Sequence, residues 1–141
     1  MAKYGSNSII VAVDNSSGTP VTMTNYVTTI NAVSVEALLQ ETTAFGDAWQ
    51  EQLSTGMRRA EPITLGGLYD DTSTTGPDAI FNDVASGPSD TGSTRTITIT
   101  WGGSKTTACE AIITNYTRTA TRGELTAYEV TLTPTGTVTE A

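Results

Sequence analysis

Between Arg95 and Trp101 the chain reads RTITITW, a strict alternation of threonine with apolar residues. In extended backbone successive side chains point to opposite faces, so Ile97, Ile99 and Trp101 share one side and Thr96, Thr98 and Thr100 the other. A helix would scatter both sets around its axis, so the segment is committed to a sheet with one buried face. Gly102, Gly103 and Ser104 then turn the chain, and Lys105–Thr114 returns with Cys109, Ala111 and Ile113 on the core side and Ala108, Glu110 and Ile112 opposite. The pattern recurs at both ends. Ile9, Ile10, Val11 and Val13 run into the turn Asp14–Gly18, and Pro20–Met23 forms a return or edge strand because Pro20 has no ladder donor. Leu125–Thr133 forms a late strand with Tyr128, Val130 and Leu132 on its apolar face. Threonine is far above its usual share, which suits pleated, half-buried surface. A chain of 141 residues fits one domain. The fold class expected is mainly β, a β-sandwich or barrel with one short flanking α-helix and a long loop.

The middle of the chain mixes periods. Asn25–Ile30 fits helix and strand equally, whereas Ala32–Thr43 alternates, with Val33, Val35, Ala37 and Leu39 on one face. From Asp47 the spacing predicts the flanking helix: Asp47 as N-cap, Gln50 at the capping-box position, Gly56 as the stop, and Trp49 and Leu53 packed on the sheet. Arg58 and Arg59 follow, read either as a solvated connector or as a bridge to acidic surface on another subunit. Ile63, Leu65, Gly67 and Tyr69 form a strand whose paired glycines suggest a bend or close backbone approach. Residues 70–93 are the long loop, in which Gly76 and Pro77 make a turn and Asp78 opens a short helical turn carrying Ala79, Ile80 and Phe81. Asn115–Gly123 reads as a polar run. Pro134 and Gly136 end the last strand, leaving residues 1–8 and 134–141 as an N-terminal arm and a C-terminal tail.

Several chemistries are excluded by what is present. There is no histidine and a single cysteine, Cys109, so imidazole acid–base catalysis, a Cys/His pair, a multi-thiolate metal site and an internal disulfide are all ruled out. Serines occur without a GxSxG or SxxK context, and the glycines match no phosphate loop. Asp70, Asp71, Asp78, Asp83 and Asp90 lack the alternating ligands and closing glutamate of a helix–loop–helix calcium site. No catalytic residue, cofactor or metal is expected, and an enzyme is the least favoured class. With 15 acidic against 7 basic side chains, the net charge of −8 gives no footprint for gripping a phosphate backbone. The opening MAKYGSNS has neither a basic leader nor a long apolar run, so neither a signal peptide nor a membrane span is expected. Only 16% of residues are charged, which is low for a solvated surface and points to ordered self-assembly that covers strand edges.

The run from Phe45 to Asp71, FGDAWQEQLSTGMRRAEPITLGGLYDD, resembles the phage tail tube (major tail) protein family. The matching residues are Phe45, Gly46, Asp47, Thr55, Gly56, Ile63, Leu65, Gly67, Tyr69, Asp70 and Asp71, and the likeness continues in GPDAIF and EVTLTPTGTVTE. The resemblance implies a virion structural protein, made in the host cytoplasm, whose copies close into six-membered rings that stack into a hollow tube. It implies tape-measure and tail-end proteins as partners, and DNA passing through without specific binding. Self-assembly contacts are expected at Tyr4, Arg58, Arg59, Tyr69, Asp70, Asp71, Pro77, Asp78 and Phe81. Glu36, Glu110 and Glu129, on strands that alternate with core positions, are the candidates for an acidic lumen that keeps DNA from sticking. The rival classes are a head–tail connector or decoration protein and a carbohydrate-binding β-module; the few aromatics, 6% of residues, disfavour the last.

Overall fold

The computed structural model describes residues 2–15, 18–82 and 94–141. It is mainly β. In chain order the strands are β1 (Ile10–Asp14), β2 (Pro20–Thr22), β3 (Thr29–Ile30), β4 (Val35–Glu41), β5 (Gln52–Ala60), β6 (Ile63–Leu68), β7 (Arg95–Gly102), β8 (Lys105–Thr119) and β9 (Ala127–Glu140). Among the described residues a short α-helix, α1 (Pro77–Phe81), lies between β6 and β7. Seven strands form one curled antiparallel sheet in the order β2-β1-β7-β8-β9-β6-β3, and among the described residues β4 pairs only with β5, in a separate two-stranded hairpin.

The alternation of the sequence becomes the two faces of the sheet. Val11 and Val13 of β1 stand opposite Ile99 and Ile97 of β7, Ile97 opposite Cys109 of β8, and Leu65 of β6 opposite Val130 of β9. These side chains are buried, and Met23, Ile80 and Phe81 close over them. The other face carries Thr96, Thr98, Thr100, Glu110, Glu129, Thr131 and Thr133, none of them buried. Each buried strand thus satisfies its ladder in the sheet while only one side chain in two leaves water.

The close approach expected at the glycine pair is real. A Cβ on Gly67 would fall 2.1 Å from the Tyr26 main-chain oxygen, and the same oxygen accepts a 2.8 Å hydrogen bond from the Tyr128 hydroxyl. Asn25–Ile30 resolves into both of its readings, a 3-10 turn at Thr24–Tyr26 followed by the short edge strand β3.

Three expectations are overturned. The helix predicted from Asp47 to Gly56 does not form: Ala44–Asp47 is a turn and the chain from Gln52 is strand. Asp47 turns backward, its carboxylate accepting from the Ala44 amide at 2.7 Å, and Gly56 uses its positive φ of 80° within β5. There Thr55, Gly56 and Met57 stand opposite Leu38 alone, a bulge that keeps the flanking register in step. The flanking helix is α1 instead. The supposed tail 134–141 is largely strand, for Pro134 pairs with Ala111, and Gly136 (φ 78°) makes a second bulge after which β9 continues to Glu140. The polar run after Asn115 likewise extends β8 to Thr119.

Candidate functional site

The β4–β5 hairpin is the feature that the core does not explain. Trp49, Leu53 and Met57 are 84%, 63% and 64% exposed, and Val35, Leu39 and Phe45 are exposed with them. Trp49 and Leu53, expected to pack on the sheet, therefore lie in solvent instead. A two-stranded hairpin without a hydrophobic partner is marginal in water, and one this rich in bare apolar side chains marks an interaction surface. Its tip is nonetheless tied: the Glu51 amide donates to the Thr43 hydroxyl at 2.8 Å, and the Thr55 hydroxyl donates to the Leu38 carbonyl at 2.9 Å.

The adjacent arginines divide between its faces. Arg59, opposite Glu36 in the ladder, has Nη2 2.5 Å from the Glu36 carboxylate and Nε 3.4 Å from that of Glu61. Arg58, opposite Ala37, emerges on the other face, where Val35 lines the same groove between the hairpin and Gly136–Val138 of β9.

Asp78, Pro77 and Phe81 are brought together, but inside the protomer. Pro77 and Phe81 are buried, and Phe81, Tyr116 and Tyr128 form a triangle of rings with centroids 6.2 Å apart. Asp78 Oδ1 accepts from the Tyr116 hydroxyl at 3.2 Å and from Arg118 at 3.4 Å, while the Arg118 guanidinium lies 5.7 Å from the Tyr116 ring centroid. Burial, reinforced by the Asp78 charge, pushes the Tyr116 phenol well above its ordinary range, and burial pushes Tyr128 up to about 12. Both rings are neutral packing groups. This cluster clamps α1 to β8 and β9. Sequence reasoning missed the buried cation beneath it, Arg95, although its position in RTITITW, in phase with Ile97 and Ile99, already placed it on the inward face.

Asp70 accepts from the amide of Thr72 at 2.8 Å and from its hydroxyl, and these bonds hold its carboxyl below the usual value. Asp71 is exposed beside it. Tyr69 donates its amide to the Thr126 carbonyl at 2.8 Å, which sets Leu68–Asp70 against Leu125 and Thr126 as a ledge with both leucines exposed. Tyr4 lies over Gly102 and Gly103 of its own chain: a Cβ on either glycine would come within 2.7 Å of the Tyr4 side chain. Of the carboxylates expected to face a lumen, Glu110 and Glu129 share the threonine face, with Thr96 and Thr94 bonding Glu110 and lowering its pKa, whereas Glu36 belongs to the hairpin. Asp83 and Asp90 lie outside the described residues.

No family model and no curated protein matches the chain. Solved structures do. A protein in the tail of the empty gene transfer agent particle, refined with C6 symmetry, superposes with a TM-score of 0.73 at 17% identity over 99% of both chains. A protein in the six-fold symmetrised anti-feeding prophage baseplate gives 0.77 at 12% identity, over 100% of this chain and 97% of its own. A crystallised Hcp protein gives 0.52 at 12% identity, over 94% and 97%. The chain therefore shares its fold, along essentially its whole length, with a protein of the gene transfer agent tail and one of the anti-feeding prophage baseplate.

Proposed function

We propose that this chain is a tail tube protein, a non-enzymatic virion component whose copies close into rings of six that stack into a hollow tail. The observation that carries this reading is the uncovered β4–β5 hairpin on an otherwise well-packed protomer. Its apolar side chains need a partner, and the described residues of the same chain leave Trp49, Leu53 and Met57 exposed. The neighbours' six-fold particles and the shared fold support a second copy as that partner. Because the hairpin of one copy meets a different surface on the next, the contact is heterologous and repeats, which builds rings and tubes rather than closed dimers.

In this reading the threonine face with Glu110 and Glu129 lines the channel. Hydroxyls hydrate the wall without cationic anchors, and the carboxylates repel a duplex that carries a charge every ~1.7 Å of axis, over a screening length of about 8 Å. DNA then passes without being held. A tape-measure protein would occupy the channel during assembly and tail-end proteins would terminate the tube. Glu36, neutralised by Arg59, contributes to the hairpin's shape and little to the channel's charge.

Negative-stain microscopy of the purified chain tests the reading. Long hollow tubes with six-fold end views are expected; isolated rings would favour a connector, and persistent monomers at high concentration would overturn self-assembly.

A further inference from the structure

Two exposed patches of this chain are complementary in both polarity and charge. On the hairpin, the face bearing Val35 and Leu39 also bears Arg58, and no ion pair joins Arg58 to any described residue. Its neighbour Arg59 is already neutralised by Glu36 and Glu61 on the opposite face, whereas Arg58 lies beside Val35 in the groove that Val138 and Glu140 of β9 also line, without an ion pair to them. At the other patch, Leu68 and Leu125 are exposed on the ledge held by the Tyr69–Thr126 hydrogen bond. There the Asp70 carboxylate is occupied by Thr72, but that of Asp71 is exposed and accepts no hydrogen bond from the described residues. The hairpin face thus sets two apolar side chains beside the Arg58 cation, with Glu41 on the same face toward the tip, whereas the exposed carboxylates next to the ledge, Asp71 and Glu124, are both acidic. Apolar contact surrounding a single arginine–carboxylate pair is the composition of an interface hot spot.

We propose that the Val35–Leu39–Arg58 face of one copy docks on the Leu68–Leu125 ledge of the next copy, with Arg58 paired to Asp71. The proposal rests on the tube reading and deepens it by naming the joint. Excess acid makes this pairing selective: with 15 acidic and 7 basic side chains, most random contacts between copies would be repulsive. Since donor and acceptor patches lie at different places on one chain, every docked copy presents a fresh ledge or a fresh hairpin, and the contact propagates.

Charge exchange tests it. R58E and D71R, both at exposed positions, should keep the wild-type melting profile and raise the critical concentration for tube formation at least about tenfold, the scale of a close charge pair turned repulsive. The double variant R58E/D71R should return to within about threefold of wild type, and so should an equimolar mixture of the two single variants, in which alternating copies restore attraction at every joint. Wild-type tubes together with single variants that polymerise normally would overturn this joint and leave the tube reading standing. Loss in both single variants without recovery in the double variant or the mixture would overturn the pairing. Failure of the wild type itself to polymerise would instead count against the tube reading.

Discussion

Arg95, only 4% exposed, donates through Nη1 to the main-chain oxygen of Ile80 at 2.5 Å and so ties the end of α1 to the inner face of β7. A short helix has few internal hydrogen bonds, so its position depends on such anchors and on the burial of Pro77, Ile80 and Phe81. Replacing Arg95 with Met leaves the carbonyl without this donor in an apolar site. R95M should lose about 2–4 kcal/mol in urea unfolding. R118M, at a half-exposed pair with Asp78, should lose less than about 1 kcal/mol.

Gly67 and Gly66 differ although they are adjacent. The Cβ of G67A meets the Tyr26 carbonyl at 2.1 Å, an oxygen already fixed by Tyr128, whereas that of G66A finds its nearest atom at 3.7 Å. G67A should destabilise by about 1–3 kcal/mol, and G66A should stay within about 0.5 kcal/mol of wild type, by thermal or urea melts.

How far the fold was legible follows from which signals are local. The alternation that sets Val11 and Val13, Ile63 and Leu65, Ile97 and Ile99, and Tyr128, Val130 and Leu132 on one side specifies strands and their buried faces directly, and the structure keeps every one of these nine residues in the core. The helix assigned to Asp47–Gly56 failed because its punctuation is ambiguous. Asp47 accepts a backward turn bond as readily as it caps, and a glycine with positive φ serves a bulge as well as a helix stop. The three-and-four spacing of Trp49 and Leu53 then looked like a buried stripe, although nothing among the described residues covers it. Gly136 misled in the same way at the C-terminal strand. Of the residues expected at assembly contacts, Arg58 and Asp71 are exposed and Tyr69 is half-buried, but Pro77 and Phe81 are core, a distinction that needs the sheet they pack on.

Glu110 links stability to pH. Hydrogen bonds from the Thr96 and Thr94 hydroxyls lower its pKa from the ordinary 4.5, so the folded chain binds its proton less readily than the unfolded chain. The resulting stabilisation is complete above that ordinary value and is lost as pH falls through the lowered one. E110Q should therefore flatten the decline in Tm between about pH 5 and about pH 3, the range in which carboxylates titrate, and T96V should raise the Glu110 pKa as followed by carboxyl NMR.

The two tryptophans report on different events. Trp101 is half-buried and donates to the Thr107 hydroxyl at 2.8 Å, whereas Trp49 is bare on the hairpin. Emission from Trp49 should be that of a solvated indole in the monomer and shift to the blue on assembly, and W101F should preserve that shift. W49A should change unfolding free energy by less than about 0.5 kcal/mol, as expected of a surface substitution, while raising the critical assembly concentration.

The central claim is that the β4–β5 hairpin finds its missing core on another copy of the chain. A helical cryo-EM reconstruction of the assembled protein tests this most directly. The account predicts six subunits per ring, the hairpin seated on a neighbouring subunit with Trp49 and Leu53 buried, and the Glu110–Glu129 face lining the channel. A reconstruction in which the hairpin stays in solvent, or in which that face lies on the outside of the tube, would contradict it.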